Sequence, residues 1–200
     1  MLKDGRMQVL AVAVSVLLGW AAAWATGPAP VHVLLHTELG DIEVEVDAAR
    51  APITAANFLR YVDSGFYNGG RFHRTVTPQN QPLNKIKIEV IQGGADPARE
   101  KQGFAPILLE RTSKTGLNHR DGVISMARDG PDTATSDFFI CIGDQPELNF
   151  GGKRNPDGQG FASFGHVVRG MAVVRKIQAA HADGQKLTPA IRILSAARVK

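Results

Sequence analysis

VHVLLHTELGDIEVEVDAARAPITAANFLRYVDSG, residues 31–65, changes period once along its length, and that change decides how the chain is built. Val31, Val33 and Leu35 alternate with His32 and His36, and Ile42, Val44 and Val46 alternate with Glu43, Glu45 and Asp47. A period of two is that of a half-buried strand, so the stretch opens with a hairpin whose turn is expected at Gly40-Asp41. From Pro52 to Ser64 the period lengthens. Ala55, Phe58, Leu59 and Val62 fall on one helical stripe, Thr54 is placed to cap its start, and Gly65 suits the left-handed position after its end.

Toward the C-terminus, strand-like runs recur at Arg71 to Val76, Ile86 to Gln92, Val123 to Ala127, Phe138 to Ile142 and Ala162 to Val168, each bounded by Gly, Pro, Asn or Asp. Gly170 to Ala180 returns to helical spacing through Met171, Val174 and Ile177, and Ala190 to Val199 reads as a closing strand. There is no internal repeat. Many short strands with two helices suggest a small barrel plugged by the helices, because closure removes the unpaired edges of an open sheet. Two long loops interrupt the pattern, Thr77 to Lys85 and Asn149 to Gly160, the latter containing FGGKRNPDGQG. Loops of that length usually carry function or move.

Toward the N-terminus, Lys3 and Arg6 precede an apolar run from Met7 to Trp20, and small residues culminate in the A-x-A pattern Ala23-Trp24-Ala25. Residues 1–25 therefore read as a secretory signal peptide, residues 26–30 as a linker and residues 31–200 as one domain. A periplasmic or secreted location is expected. The alternative is an uncleaved anchor in the inner membrane facing the periplasm, since Met7 to Ala25 is 19 residues and roughly 20 span a bilayer. Only this segment would touch a membrane.

The 200 residues, 44% hydrophobic and 21% charged, suit one globular domain. A net charge of +4, scattered along the chain, argues against nucleic-acid binding. A lone cysteine excludes an internal disulfide and a thiolate zinc cluster. His32 and His36 would stand roughly 13 Å apart on a strand, and no H-E-x-x-H pair exists, so no metal is expected. Cys141 sits in the apolar run Phe138-Phe139-Ile140-Cys141-Ile142 and reads as core. Ser163 and Ser125 lack the glycine frame of a nucleophile elbow, and Gly151-Gly152-Lys153-Arg154 lacks that of a phosphate loop.

One ordered set of short segments remains: Gly65-Phe66-Tyr67-Asn68-Gly69, Arg71-Phe72-His73-Arg74, Val90-Ile91-Gln92-Gly93-Gly94, Ile124-Ser125-Met126-Ala127, Ser136-Asp137-Phe138-Phe139-Ile140 and Phe164-Gly165-His166-Val167. In this order they resemble the signatures of cyclophilin-type peptidyl-prolyl isomerases over nearly the whole chain from Val31. The resemblance implies a mainly β fold, a closed eight-stranded antiparallel barrel capped by two α-helices, with a peptide groove on its outer surface. It implies proline-containing polypeptides as substrates, no cofactor, and a monomer. By position, Arg74 resembles the catalytic arginine, Phe139 the floor of the proline pocket and Gln92 the polar residue beside the arginine. Val90, Ala127, Leu148 and Phe161 fall at other groove positions.

These residue types suit the chemistry. An X-Pro amide rotates against a barrier of about 20 kcal/mol because resonance must be broken. Once it is broken the imide nitrogen regains a lone pair, to which a fixed guanidinium donates more strongly than to either planar ground state. Arg74 fits that role. Phe139, with Leu148 and Val90, would seat the proline ring; Gln92 would either hold a substrate carbonyl or orient Arg74; main chain near Ala127 and Arg128 would pair with an extended peptide. Phe139 faces the groove only if Phe138 faces the core. His73 reads as structural.

The chain departs from the family pattern at Asp137, Glu89, Glu147, Arg128 and Phe161, which stand where glutamine, an aromatic, tryptophan or histidine, asparagine and histidine are usual. The segment between Arg74 and Gln92 is also longer. Either Asp137 or Glu89 pairs with Arg74 and weakens it, or Arg128 neutralises the acids and leaves Arg74 available. The enzyme reading therefore stands beside two others: a proline-peptide-binding chaperone of weak catalysis, and a scaffold docking partners through its two long loops.

Overall fold

The opening hairpin forms where its alternation places it. The computed structural model describes residues 30–199, so the assignments for residues 1–25 and most of the linker lie outside the described residues. Strand β1 (Val31–Thr37) pairs with β2 (Gly40–Val46) in register from Val31 opposite Val46 to Thr37 opposite Gly40. The turn is thus Glu38-Leu39 rather than Gly40-Asp41, held by the Thr37 hydroxyl, which donates to the Gly40 carbonyl at 2.6 Å and accepts from the Leu39 N–H. Val33, Leu35, Ile42, Val44 and Val46 are fully buried inside the sheet.

Seven further strands follow: β3 (Arg71–Val76), β4 (Val90–Gly94), β5 (Val123–Met126), β6 (Phe138–Cys141), β7 (Ala162–Arg169), β8 (Ala182–Asp183) and β9 (Lys186–Arg198). The order β1-β2-β7-β5-β6-β4-β3-β9, all antiparallel, closes through β1 pairing with β9, giving an eight-stranded barrel; β8 is a short arm on β9. Helices are α1 (Pro52–Asp63), a single turn α2 (Thr112–Thr115) and α3 (Met171–Gln178). Two helices were expected, and α2 is the third. The expected strand over Ile86 to Gln92 is displaced to Val90–Gly94. Gln81 takes the main-chain groups of Ile88, and the Ile86 carbonyl is given to Arg154, so neither residue can join the ladder. The closing strand starts earlier than Ala190, because Lys186 pairs with Arg74 on β3.

Helix α1 packs against β7 and β9, and α3 against β2, β3 and β4. The Phe58 ring of α1 meets Tyr67, Phe138 and Phe164 at 5.4, 5.8 and 5.0 Å between centroids, filling the barrel with aromatic contacts. The end of α1 is as expected: Gly65, at φ +66°, donates to the Val62 carbonyl while Phe66 N–H reaches Tyr61, a Schellman closure. Its start is not. Thr54 is buried and does not cap; the Glu110 carboxylate, from a distant loop, accepts from the N–H groups of Ile53 and Thr54 at 3.1 and 2.7 Å. A carboxylate there also complements the positive end of the helix.

A second, smaller apolar cluster lies outside the barrel, made of Val76, Ile88, Val90, Phe139, Cys141 and Leu148 with Ala127 and Phe161 against it. Behind it, His119 is buried. One ring nitrogen bonds Ser125 Oγ at 3.0 Å and the other Asn149 Oδ1 at 2.8 Å, and burial pushes its pKa down to about 4.

Two outcomes follow from these contacts. Glu110→Ala removes two charge-assisted bonds from the α1 start and should cost about 1–2 kcal/mol in urea unfolding at neutral pH. His119 stays neutral when folded, whereas the unfolded chain takes up its proton near pH 6.5. Its contribution is therefore complete above about pH 6.5 and is lost as pH falls toward 4, amounting to at most about 3 kcal/mol. Urea midpoints across that window should fall more steeply for the native chain than for His119→Gln.

Candidate functional site

Four neighbouring strands carry one row of side chains across the outside of the barrel. Arg74 on β3 lies opposite Gln92 on β4, Gln92 opposite Phe139 on β6, and Phe139 opposite Ser125 on β5. Cross-strand partners share a face, so these groups stand side by side, with Val76, Val90 and Cys141 as the next rung. On β6 the parity question resolves. Phe138 and Ile140 belong to the barrel core, while Phe139 and Cys141 belong to the outer cluster.

Arg74 reaches this face through a bulge. The register of β3 against β4 shifts between Phe72 and Arg74, leaving His73 as the extra residue. Without it Arg74 would share the face of Phe72, whose ring is fully buried in the core. Among the described residues the guanidinium is gripped by amide oxygens alone: Nε and Nη2 donate to Gln185 Oε1 at 2.9 and 2.6 Å, and Nη1 donates to Gln92 Oε1 at 2.9 Å. Gln185 is anchored in turn, donating to the Asn80 carbonyl. Five donors with three bonds leave an N–H on each terminal nitrogen without a partner among the described residues. Burial pushes the Arg74 pKa down, yet arginine stays protonated at neutral pH.

The apolar seat is built around Phe139. Phe161 meets its ring edge-on at 5.2 Å, and His119 stacks on it at 5.9 Å with 16° between planes. The cleft over this seat has a volume of about 500 Å³, and every predicted site residue lines it: Arg74, Val90, Gln92, Ala127, Arg128, Asp137, Phe139, Leu148 and Phe161. Cys141, beneath, is held as a thiol by burial, consistent with a packing role.

The expected electrostatics need correction. Asp137 does not pair with Arg74; its carboxylate accepts from Gln92 Nε2 at 3.2 Å and lies 3.5 Å from His73 Nε2. It also sits over Gly94, where an added Cβ would run into Asp137 Oδ1 and force the carboxylate to shift. Glu89 and Glu147 do not line the cleft. Glu89 accepts from Gln178 on α3, and Glu147 accepts from the Lys153 N–H, bracing the loop beyond it. Ile88 occupies the groove instead of Glu89. Arg128 is neutralised by Asp157, donates to the Gly160 carbonyl, and lies 5.1 Å over the Phe161 ring. Its side chain is 1% exposed, so what the residue offers the cleft is main chain.

Ile88, His119, Arg154 and Gln185 escaped sequence reasoning. Arg154 lay in a loop already conspicuous for its length, which was a usable signal. The others depend on pairings across the sheet or between loops that no local spacing reports.

Set beside known proteins, residues 32–198 match the family described as cyclophilin type peptidyl-prolyl cis-trans isomerase/CLD. The chain is 38% identical over 173 residues to peptidyl-prolyl cis-trans isomerase A of Dickeya dadantii, covering 85% of this chain and 83% of that protein. It is 37% identical over 147 residues to peptidyl-prolyl cis-trans isomerase B of Escherichia coli, covering 73% and 83%. A solved Cryptosporidium parvum cyclophilin superposes with a TM-score of 0.68 at 25% identity, covering 86% of this chain and 98% of that one. A second structure of it, in the presence of the dipeptide Ala-Pro, gives 0.67. With the closed barrel, the outer groove and these matches in agreement, the chain belongs to the cyclophilin-type peptidyl-prolyl cis-trans isomerases.

Proposed function

We propose that this protein accelerates cis/trans exchange at X-Pro bonds of exported or unfolded polypeptides by donating a hydrogen bond from Arg74 to the imide nitrogen of the twisted amide. It would act as a monomer, periplasmic or secreted, with residues 1–25 as its signal peptide or as an inner-membrane anchor. The observation that carries the reading is the placement of Arg74, one ladder position from Gln92 and two from Phe139, on one cleft and without a carboxylate partner among the described residues.

The chemistry follows from that placement. The proline ring settles against Phe139, walled by Phe161, Leu148, Ile88 and Val90, and displaces water that would favour the planar, polar amide. Main chain at Arg128 pairs with the extended peptide. With the ring held, rotation proceeds on the other side of the C–N bond, and Arg74 donates most strongly when the nitrogen lone pair is free. Because amide oxygens orient the guanidinium without cancelling its charge, its full charge remains for the transition state. A cyclophilin 25% identical to this chain was solved in the presence of Ala-Pro, which supports a proline-containing substrate here.

The amide-only grip favours catalysis over binding alone. Arg74→Ala should lower kcat/KM for a proline peptide by about 100-fold, the usual consequence of losing one preorganised donor, with little change in the urea midpoint. Arg74→Lys should recover only part of it, because a shorter ammonium lacks the planar fork that Gln92 and Gln185 orient. An intact native chain that leaves the exchange rate unchanged in NMR magnetisation-transfer spectra would refute the activity. Phe139→Ala should instead weaken peptide binding by about tenfold or more, read from NMR titration.

A further inference from the structure

The two long loops meet beside the groove, and Arg154 joins them. Its Nη1 donates to Gln81 Oε1 at 2.9 Å and to the Ile86 carbonyl at 2.6 Å. Gln81 is itself buried, its amide nitrogen bonded to the carbonyls of Thr77 and Ile88, so the guanidinium is fixed from behind by a rigid partner. In front, it lines the same cleft as Arg74.

Both protons of Arg154 Nη1 are used, while Nε and Nη2 have no partner among the described residues. Those two nitrogens form the edge that binds a carboxylate side-on. The chain shows that geometry elsewhere: Arg198 donates from Nε and Nη2 to the two oxygens of Asp63 at 2.8 and 2.6 Å. Neither Arg154 nor Arg74 forms an ion pair among the described residues, although other arginines of the chain do. Of the acids that line the cleft, Asp137 is engaged by Gln92 and His73, and Asp129 lies exposed at the Gly130–Thr133 turn. The two guanidiniums repel each other enough that Arg74 adds to the lowering of the Arg154 pKa caused by burial. An entering anion relieves both costs, and a prefixed arginine loses little rotamer freedom on binding it.

We propose that the Nε–Nη2 edge of Arg154 forms an anion subsite that selects substrate chains carrying an Asp or Glu side chain close to the proline, leaving Arg74 to the imide. This deepens the isomerase reading and rests on its groove. Arg154 acts as a specificity residue, touching the substrate's carboxylate rather than the rotating bond.

The test uses proline peptides with both ends blocked, in matched pairs carrying Glu or Gln at each flanking position, on the native chain, Arg154→Gln and Arg154→Lys. The readouts are kcat/KM for exchange and Kd from NMR titration. Glu should be preferred over Gln by about fivefold at one or more positions at low salt, the preference shrinking at roughly 0.5 M salt. It should fall to about one in Arg154→Gln and be intermediate in Arg154→Lys, which keeps charge but not the fork. Equal values for Glu and Gln at every position, or a preference that survives in Arg154→Gln, would overturn the subsite. If Arg154→Gln does not fold, a preference in the native chain that ignores salt overturns it equally. Should no peptide be accelerated at all, the isomerase reading fails, while the Glu-to-Gln ratio of Kd still judges the subsite.

Discussion

A guanidinium can be held still without being neutralised only if its partners are uncharged, and the groove is organised around meeting that condition for Arg74. A carboxylate about 4 Å away, in the effective dielectric near a protein surface, would attract the cation by about 4 kcal/mol and, on the proposed mechanism, compete with the lone pair it is to serve. Amide oxygens orient it at far smaller electrostatic cost. Gln185 and Gln92 supply them from opposite sides, and each is tied back: Gln185 to the Asn80 carbonyl, Gln92 to Asp137. Asp137 is thereby kept one residue removed from the arginine, acting on Gln92 rather than on Arg74.

The grip presupposes a sheet that buries both faces at this point. Closure of β1 onto β9 leaves no free edge among the eight barrel strands, so the outer surface of β3, β4 and β6 can carry a second apolar layer without inviting edge-to-edge pairing. All four residues of β6 are buried, two in the barrel and two under the loop that brings Leu148 and Phe161. A strand apolar on both faces usually lies between layers of structure. Here one of those layers is incomplete, and the gap is the groove.

Much of this was legible in the sequence because it is local. Alternation located the first hairpin, the 3.6 period located α1 and α3, and Gly65 ended α1 as its position suggested. The ordered segments around Arg74, Gln92 and Phe139 placed the central row, since each sits in a short motif whose register with its neighbour is conveyed by the motif itself. What stayed hidden depends on distant partners. The cap of α1 comes from Glu110, the platform behind Phe139 from His119, and the grip on Arg74 from Gln185. The long segment before Gln92 misled by counting: position assigned Glu89 to the groove, but Gln81 pulls the main chain of Ile88 out of the ladder and Ile88 enters instead. Glu147 was misjudged for a related reason, because a loop residue has no periodicity to announce which way it points.

The corrected positions change the character of the groove. Of the five departures from the family pattern, Asp137, Arg128 and Phe161 line it, and the two glutamates turn away to brace α3 and the loop after Leu148. Arg128 spends its charge on Asp157 and packs over Phe161, so its guanidinium backs that ring from outside the cleft rather than serving as a counter-ion for the acids. The seat is therefore apolar and aromatic despite the charged sequence around it. Its aromatic part is also built by different elements from those that aim the arginine: Phe139 and Phe161, with Leu148, come from β6 and the loop that follows, Arg74 and Gln185 from β3 and the turn between β8 and β9. On the proposed mechanism, holding a proline and rotating its bond thus rest on two bodies of side chains that meet across the β4–β6 ladder, where Gln92 stands opposite Phe139. Substitutions in one body can spare the other, and for that reason a chain of this design could lose turnover while the apolar seat that would hold a proline stays intact.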